Sequence, residues 1–136
     1  MKVTCKQNTL KDFDLSEVIG FFNKNAKYHV DIGQEYLVMG IMIPKYNNCL
    51  YYMVDNGDLP IWNPYFLFDI SDNSLPNDWY VKVYNKNDPD RLFYLSGFYE
   101  LCNDEDFHDL LLDCDKNARA IYFQRKTEFE NDHNAI

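Results

Sequence analysis

The chain has 136 residues, and because its 22 acidic side chains outnumber its 13 basic ones, its formal net charge is −9. Hydrophobic residues make up 46% of the chain and aromatic residues 17%, which excludes a disordered acidic tail, since such tails lack apolar surface to bury. The negative charge also argues against direct binding to nucleic-acid phosphates or to anionic lipid. We therefore expect a single acidic domain spanning residues 1–136.

Residues 1–34 give the weakest structural signal. The stretch contains no apolar run of the length found in secretory signals, so we expect a cytoplasmic location. Ser16 is a candidate N-cap for a short helix in which Val18, Phe21 and Phe22 share one face, although Gly20 weakens the pattern. The structure of this segment therefore stays open.

Residues 35–99 are predicted to be rich in β-strands. The apolar segment 36–43 is predicted to be one strand covered on both faces, with a bend or bulge at Gly40. The turn 45–48 leads to a strand over 49–54, and the Asn-Gly pair at 56–57 predicts a hairpin after it.

The second half of this region gives three further strand signals. Pro64 cannot donate to a strand ladder, so the segment 61–70 is predicted to form two short pieces around a corner. The segment 79–85 alternates with strand periodicity, and 91–99 follows as another strand. Five or six short strands joined by hairpins predict a strongly bent antiparallel sheet or a small SH3-like barrel.

The residues from 103 to 130 are predicted to be helical, which makes the fold class α+β with C-terminal helices packed on the sheet. Apolar residues recur at helical spacing from Phe107 to Cys114, with Asn103 as the N-cap and Asp106 at N3. Beyond a possible cap at Asp115, the segment 118–129 keeps helical spacing. It also alternates as a strand would, but the absence of a turn signal favours the helix.

No residue pattern indicates a catalytic, metal or cofactor site. His29, His108 and His133 lack metal-ligand spacing, and Asp-rich turns lack the calcium-loop pattern. The widely spaced cysteines form no CxxC pair, and Cys49 and Cys114 are predicted to be buried thiols. We expect no cofactor, no metal and no enzymatic activity. The alternative is an enzyme whose site is assembled in space, with His29 or His108 beside a carboxylate.

An acidic run is the feature with the most chemical content. Residues 1–68 hold 6 bases and 7 acids, whereas residues 69–136 hold 7 bases and 15 acids. Seven of these acids lie in a stretch without Lys or Arg: Glu100, Asp104, Glu105, Asp106, Asp109, Asp113 and Asp115. On one helix, Glu105, Asp109 and Asp113 would form unfavourable like-charge pairs at i, i+4. Two interpretations stay open: a solvated helix face, or a stripe that a cationic partner neutralises.

Aromatic side chains are unusually dense in the hairpin region. More of them occur than one face of a small sheet can bury: Tyr51, Tyr52, Trp62, Tyr65, Phe66, Phe68, Trp79 and Tyr80. Most should lie in the core, but Trp62 and Tyr65, which flank the Pro64 corner, are candidates for exposed interface anchors. Stacking of nucleic-acid bases would need nearby Lys or Arg, and the segment 55–78 contains none.

The segment 35–85 resembles small bacterial immunity proteins of polymorphic and contact-dependent toxin systems. The resemblance is carried by a Tyr-rich strand, a Pro-aromatic-Pro corner, an LFDI-type strand and a turn before a Trp: Tyr51, Pro60, Pro64, Leu67, Phe68, Asp69 and Trp79. It implies a cytoplasmic, non-catalytic protein that binds and blocks one cognate toxin domain, often a nuclease. No interface residues carry over, because such interfaces differ from pair to pair.

These observations favour one functional hypothesis and leave a second open. The first is an immunity protein that neutralises a basic toxin domain through the acidic run, with Trp62 and Tyr65 as anchors. The second is an acidic interaction or regulatory module with a partner other than a toxin. Neither hypothesis involves nucleic acid or a membrane as a direct partner.

Overall fold

The computed structural model describes residues 1–11 and 25–134. The predicted helix capped by Ser16 lies outside these described residues. Within them, none of the helices has both the length and the apolar character needed to cross a membrane.

Among the described residues, eight strands form two antiparallel sheets. In chain order they are β1 (Lys2–Cys5), β2 (Glu35–Leu37), β3 (Gly40–Pro44), β4 (Tyr51–Asp55), β5 (Pro60–Pro64), β6 (Phe68–Asp72), β7 (Tyr80–Val83) and β8 (Leu92–Gly97). The smaller sheet has the order β2-β1-β6, and the larger has the order β5-β4-β3-β8-β7. The described strands do not close into a barrel, and β1 is an element that the sequence did not predict.

Three α-helices follow the last strand. They are α1 (Tyr99–Asn103), α2 (Phe107–Leu112) and α3 (Lys116–Asn134). The predicted α+β class, with antiparallel strands followed by C-terminal helices, is confirmed. The long α3 also confirms helix over strand for the segment 118–129.

The five-stranded sheet is the middle layer of the fold. Its strand β4, which lies between β5 and β3, is buried at every position. Tyr52 and Val54 point toward the smaller sheet, where they pack in one apolar cluster with Val3. Met53 points the other way and packs with the helical residue Tyr122 in a second cluster. Burial on both faces explains why apolar residues occupy both sets of alternating positions along β4.

The prediction of one strand over 36–43 is wrong, because the chain changes sheets within it. β2 belongs to the smaller sheet and β3 to the larger one. Between them, Val38 packs into the cluster between the sheets, whereas Met39 packs under the helices. The change of direction occurs just before Gly40, where a bend was predicted.

The predicted turns are confirmed by the backbone. Asn48, between β3 and β4, has a φ of 53°, a conformation that Asn tolerates better than most residues. Gly57, in the β4–β5 hairpin, has a φ of 99°. β5 ends at Pro64 and a short 3-10 turn follows it, after which Phe68 begins β6 in the other sheet. One apolar segment thus supplies strands to both sheets.

The predicted start and end of the first helix are wrong. Asn103 is the last residue of α1 rather than an N-cap, and Asp106 immediately precedes α2 without a capping hydrogen bond from its side chain. α2 ends at Leu112, so Cys114 does not continue its apolar face. Cys114 has a φ of 63° and is exposed. The apolar residues of α2 do have helical spacing, but the helix is only six residues long because a turn lies on either side of it.

Candidate protein-binding groove

A groove of about 1180 Å³ lies between the helical face of the larger sheet and the helices α1 and α2. Apolar and aromatic side chains form part of its lining: Met42, Trp62, Tyr84, Leu92 and Leu95. Asp104, Glu105 and Asp109 line it on the helical side, and Lys82, Asp90 and Arg91 on the strand side. We call this feature the acidic groove, and the five carboxylates at positions 104, 105, 106, 109 and 113 its acidic rim. Three of the five line the groove directly.

Two glycines allow α1 to lie close against the sheet. Gly40 of β3 and Gly97 of β8 are directly opposite each other, and Leu101 of α1 packs onto both. A Cβ at Gly40 would lie 2.7 Å from the Leu101 side chain, and a Cβ at Gly97 would lie 2.8 Å from it. Gly97 also has a φ of 151°. The position of α1, and with it the start of the acidic rim, therefore depends on the absence of a side chain at Gly40 and at Gly97.

A hydrogen bond joins the groove lining to α2. The Trp62 indole Nε1–H donates to His108 Nε2 at 2.8 Å, and the two rings meet edge to face with centroids 5.7 Å apart. The bond requires an unprotonated Nε2. Burial lowers the pKa of His108, while the neighbouring charge of Asp109 opposes that shift. His108 is therefore a neutral acceptor that holds Trp62 in place at neutral pH.

The acidic rim carries negative charge that the fold does not neutralise. All five of its side chains are exposed. None of them forms an ion pair with a Lys or Arg of the residues that the structure describes. Across the groove, the Lys82 ammonium lies over the Tyr84 ring, 5.1 Å from its centroid. The rim is thus available to cations from outside the molecule.

Glu100, which was predicted as a partner-binding residue, does not line the groove. Its carboxylate is buried and accepts hydrogen bonds from Arg125 of α3, the shortest from Nε at 2.7 Å and from Nη2 at 2.8 Å. These bonds lower the pKa of Glu100, although its burial acts in the opposite direction. Arg125 also donates to Glu128 at 3.0 Å. Glu100 therefore holds α1 to α3.

Two other predicted site residues also lie apart from the groove. Asp115 caps α3, because its Oδ2 accepts a hydrogen bond from the Ala118 N–H at 3.0 Å. This confirms the predicted cap and gives the side chain a structural role. Tyr65 is exposed, but it packs against Phe66 at a centroid distance of 4.6 Å and does not line the groove. Of the two proposed aromatic anchors, the groove contains Trp62.

The predicted like-charge pairs within a helix do not form. Glu105 precedes α2 and Asp113 follows it, so only Asp109 lies inside the helix. The stripe therefore does not destabilise its own helix through like-charge pairs, and this reason for expecting it to face a partner is lost. What replaces it is a different observation: the rim carboxylates are exposed and form no ion pair with a described Lys or Arg, whereas Asp55, Asp58 and Glu100 are each paired with a base on α3.

A buried polar cluster was missed by sequence reasoning. Asp55 ends β4, and its carboxylate accepts hydrogen bonds from the Tyr122 hydroxyl at 2.9 Å and from Lys126 Nζ at 3.0 Å. The Asp55 side chain is 1% exposed. Burial raises the pKa of Tyr122 well above its usual value, and the Asp55 charge adds to that effect. Asp55 was interpreted as part of a turn, and nothing in its local sequence indicates two partners on a helix about 70 residues later.

Two features of the described residues bear on metal binding and on thiol chemistry. They contain no group of three or more His, Cys, Asp or Glu side chains placed to hold a metal ion. Burial raises the pKa of both Cys49 and Cys102 to about 11, so both are protonated thiols at neutral pH. Cys49 is buried as predicted, whereas the exposure of Cys114 contradicts its prediction.

Comparison identifies no family for this chain. A scan against protein-family models gives no match, and neither the curated proteins nor the solved structures include one with significant similarity. The resemblance of the segment 35–85 to immunity proteins thus stays a prediction. The groove has to be interpreted from its own chemistry.

Several residues of the groove were not predicted. His108 was considered only as a metal ligand or catalytic residue, because its bond to Trp62 joins positions 46 residues apart. Tyr84 and Leu92 were assigned only to strands. Their one available signal was position: both flank the turn 85–91, and turns next to an edge strand often lie near binding surfaces.

Proposed function

We propose that this protein is an immunity-type inhibitor, which binds a basic toxin domain in the cytoplasm through the acidic groove. The observation that carries the proposal is the acidic rim beside an aromatic lining: its five exposed carboxylates form no ion pair with a Lys or Arg of the described residues. Nuclease domains are typically basic where they bind phosphate, so such a rim complements them in charge. The toxin in particular is suggested by the resemblance of the segment 35–85.

The groove combines two properties that protein interfaces use for different purposes. Exposed carboxylates accelerate encounter with a cationic surface and suppress binding to anionic ones. A half-buried Trp held by a hydrogen bond offers a rigid apolar contact at a small entropic cost. Trp62 supplies this contact, with His108 as the residue that positions it. The charge supplies steering, and the indole supplies short-range binding energy.

The experiment that tests the proposal is neutralisation of a toxin in cells. The reading frame immediately upstream of the gene is expressed under an inducible promoter, with and without this protein. The expected result is growth arrest that this protein reverses. Asp104→Lys combined with Asp109→Lys should abolish the rescue, because two cations then replace two anions facing the basic partner.

A control variant separates the groove from total charge. Asp31→Lys combined with Asp132→Lys changes the net charge equally, at exposed carboxylates outside the groove. This control should rescue growth as the wild type does. Equal loss of rescue in both variants would show that the groove is not the binding surface. An upstream product that is harmless alone would contradict the toxin assignment and favour a partner of another kind.

A further inference from the structure

The strand β7 is an edge of the larger sheet that carries little protection against pairing. All four of its residues are exposed. Val81 and Val83 are 62% and 73% exposed, the largest values among the exposed large hydrophobic side chains of the described chain. At the opposite edge, β5 begins and ends with proline, a residue that limits strand addition. On β7 the one protective feature is Lys82.

The backbone of β7 presents outward-facing hydrogen-bonding groups at Val81 and Val83. The Tyr84 N–H donates to the Phe93 carbonyl of the neighbouring segment at 2.9 Å. In an antiparallel strand the N–H and C=O groups of successive residues point to alternate sides. Tyr84, Lys82 and Tyr80 therefore direct theirs toward β8, whereas Val81 and Val83 direct theirs outward. The most exposed aliphatic side chains and the outward backbone groups coincide.

We propose that β7 pairs with β7 of a second copy of this chain, antiparallel about a two-fold axis at Val81. The two Val81 residues then exchange N–H···O=C bonds, and the two larger sheets join into one of ten strands. In this register Lys82 of each copy lies opposite Tyr80 of the other. A closed two-fold contact leaves neither β7 edge free. This inference does not depend on the proposed function.

The strand is self-complementary in this register and not in the neighbouring one. An ammonium opposite a Tyr ring is a favourable cross-strand pair, and Lys82 already lies near the Tyr84 ring within its own chain. Moving the axis to Lys82 would place the two ammonium groups opposite each other, which is destabilising. Moving it to Val83 would leave Tyr80, Val81 and Lys82 without a β7 residue opposite them. The Val81 register therefore pairs most of the strand.

Charge predicts how such a dimer responds to salt. Each copy has a formal charge of −9, so the two repel each other at long range, and added salt screens that repulsion. Dimerisation should therefore strengthen as the salt concentration rises. Binding of a basic partner in the acidic groove should weaken under the same change. The two surfaces can be distinguished by the sign of the salt effect.

The test is sedimentation equilibrium of the full chain, in moderate salt, from about 10 µM to about 1 mM, where contacts smaller than standard interfaces associate. The expected result is a mass that rises from 16.2 kDa toward twice that value. Val81→Lys combined with Val83→Lys should weaken the dimer at least tenfold. This variant lowers the net negative charge, so a loss of association cannot come from increased long-range repulsion between the two copies.

Ile70→Lys combined with Leu75→Lys is the matched control, because it makes the same charge change at exposed aliphatic side chains outside β7. Its dimer should be at least as stable as that of the wild type. Thermal unfolding by circular dichroism checks that both variants are folded. A mass that stays at 16.2 kDa at every concentration, or equal dimerisation of both variants, would overturn the proposal. A monomer would leave the edge available to a strand of a different protein.

Discussion

Two groups of acidic residues in this chain have the same chemistry and opposite surroundings. Asp55, Asp58 and Glu100 form ion pairs with bases on α3: Lys126, Arg119 and Arg125. The acidic rim, by contrast, has no such partner in the described part of the chain. The comparison teaches that acid content alone does not identify a binding surface. Acids whose charge the fold neutralises serve stability, whereas acids left without a base are available to a partner.

Asp55→Asn should have the largest effect on stability. It removes the charge that faces Lys126 from a carboxylate that is 1% exposed, and loss of one partner from a buried pair is costly. We expect the free energy of unfolding to fall by about 3 kcal/mol, measured by urea denaturation.

Asp104→Asn is the matched control for this comparison, because it removes the same charge from the acidic rim. Its free energy of unfolding should change by less than about 0.5 kcal/mol. Similar losses in the two variants would show that the rim also serves the fold, which would erase the distinction between the two groups.

Gly97→Ala should be nearly as destabilising, because it forces α1 away from the sheet. A Cβ there would lie 2.6 Å from the Met39 carbonyl oxygen, and the backbone has a φ of 151°. We expect a loss of about 2 kcal/mol. Gly57→Ala, with a φ of 99° in open space, isolates the backbone cost and should lose about 1 kcal/mol. Equal losses would mean that the packing of α1 on Gly97 contributes nothing.

Glu100→Gln should cost about 1 to 2 kcal/mol, since it weakens two charge-assisted hydrogen bonds to Arg125. The same change at Glu105, which is exposed and forms no ion pair within residues 1–11 and 25–134, should cost almost nothing. Thermal unfolding of the two variants at neutral pH measures the difference. If Glu105→Gln were the more destabilising of the two, the assignment of Glu100 to the fold and of Glu105 to the rim would be reversed.

The pH dependence of stability should show the effect of the lowered pKa of His108. Because the pKa of His108 is lowered in the folded state, the unfolded chain takes up the proton first as the pH falls. The stability that neutral His108 contributes is therefore complete above its pKa in the unfolded chain, about 6.5, and declines below that pH. The lowered pKa of Glu100 adds a second loss, below its unfolded value of about 4.5.

The loss of stability due to His108 is tested by measuring denaturation midpoints between about pH 8 and pH 5. The wild type is compared with His108→Leu. The wild type should become less stable with acidification, and the variant should show a smaller slope. An unchanged slope would contradict the neutral state of His108 in its bond to Trp62.

The sequence predicted local features well and distant contacts poorly. The Asn56-Gly57 hairpin, the Pro64 corner and the α3 cap at Asp115 each depend on residues close together in the chain, and all three are confirmed. The division of the segment 36–43 between two sheets depends on what packs against each side, which local periodicity does not encode. The hydrogen bonds of Asp55 and Trp62 to the helices were missed for the same reason.

The candidate site was predicted in part. The acidic run was recognised from composition, and its exposed members Asp104, Glu105 and Asp109 line the groove with Trp62. The sequence could not separate Glu100 from the exposed members of the run, because the burial of its carboxylate depends on Arg125, 25 residues later. A charge run identifies the region, but the ion pairs decide which of its members remain available.

The most direct test of the central claim is the dissociation constant of the complex with the product of the upstream reading frame, measured by biolayer interferometry. Neutralising the groove-lining carboxylates, with Asp104→Asn, Glu105→Gln and Asp109→Asn together, should weaken binding at least tenfold and reduce its dependence on salt. The stability of this variant should equal that of the wild type. An unchanged dissociation constant in a folded variant would contradict the claim that these unpaired acids serve a partner.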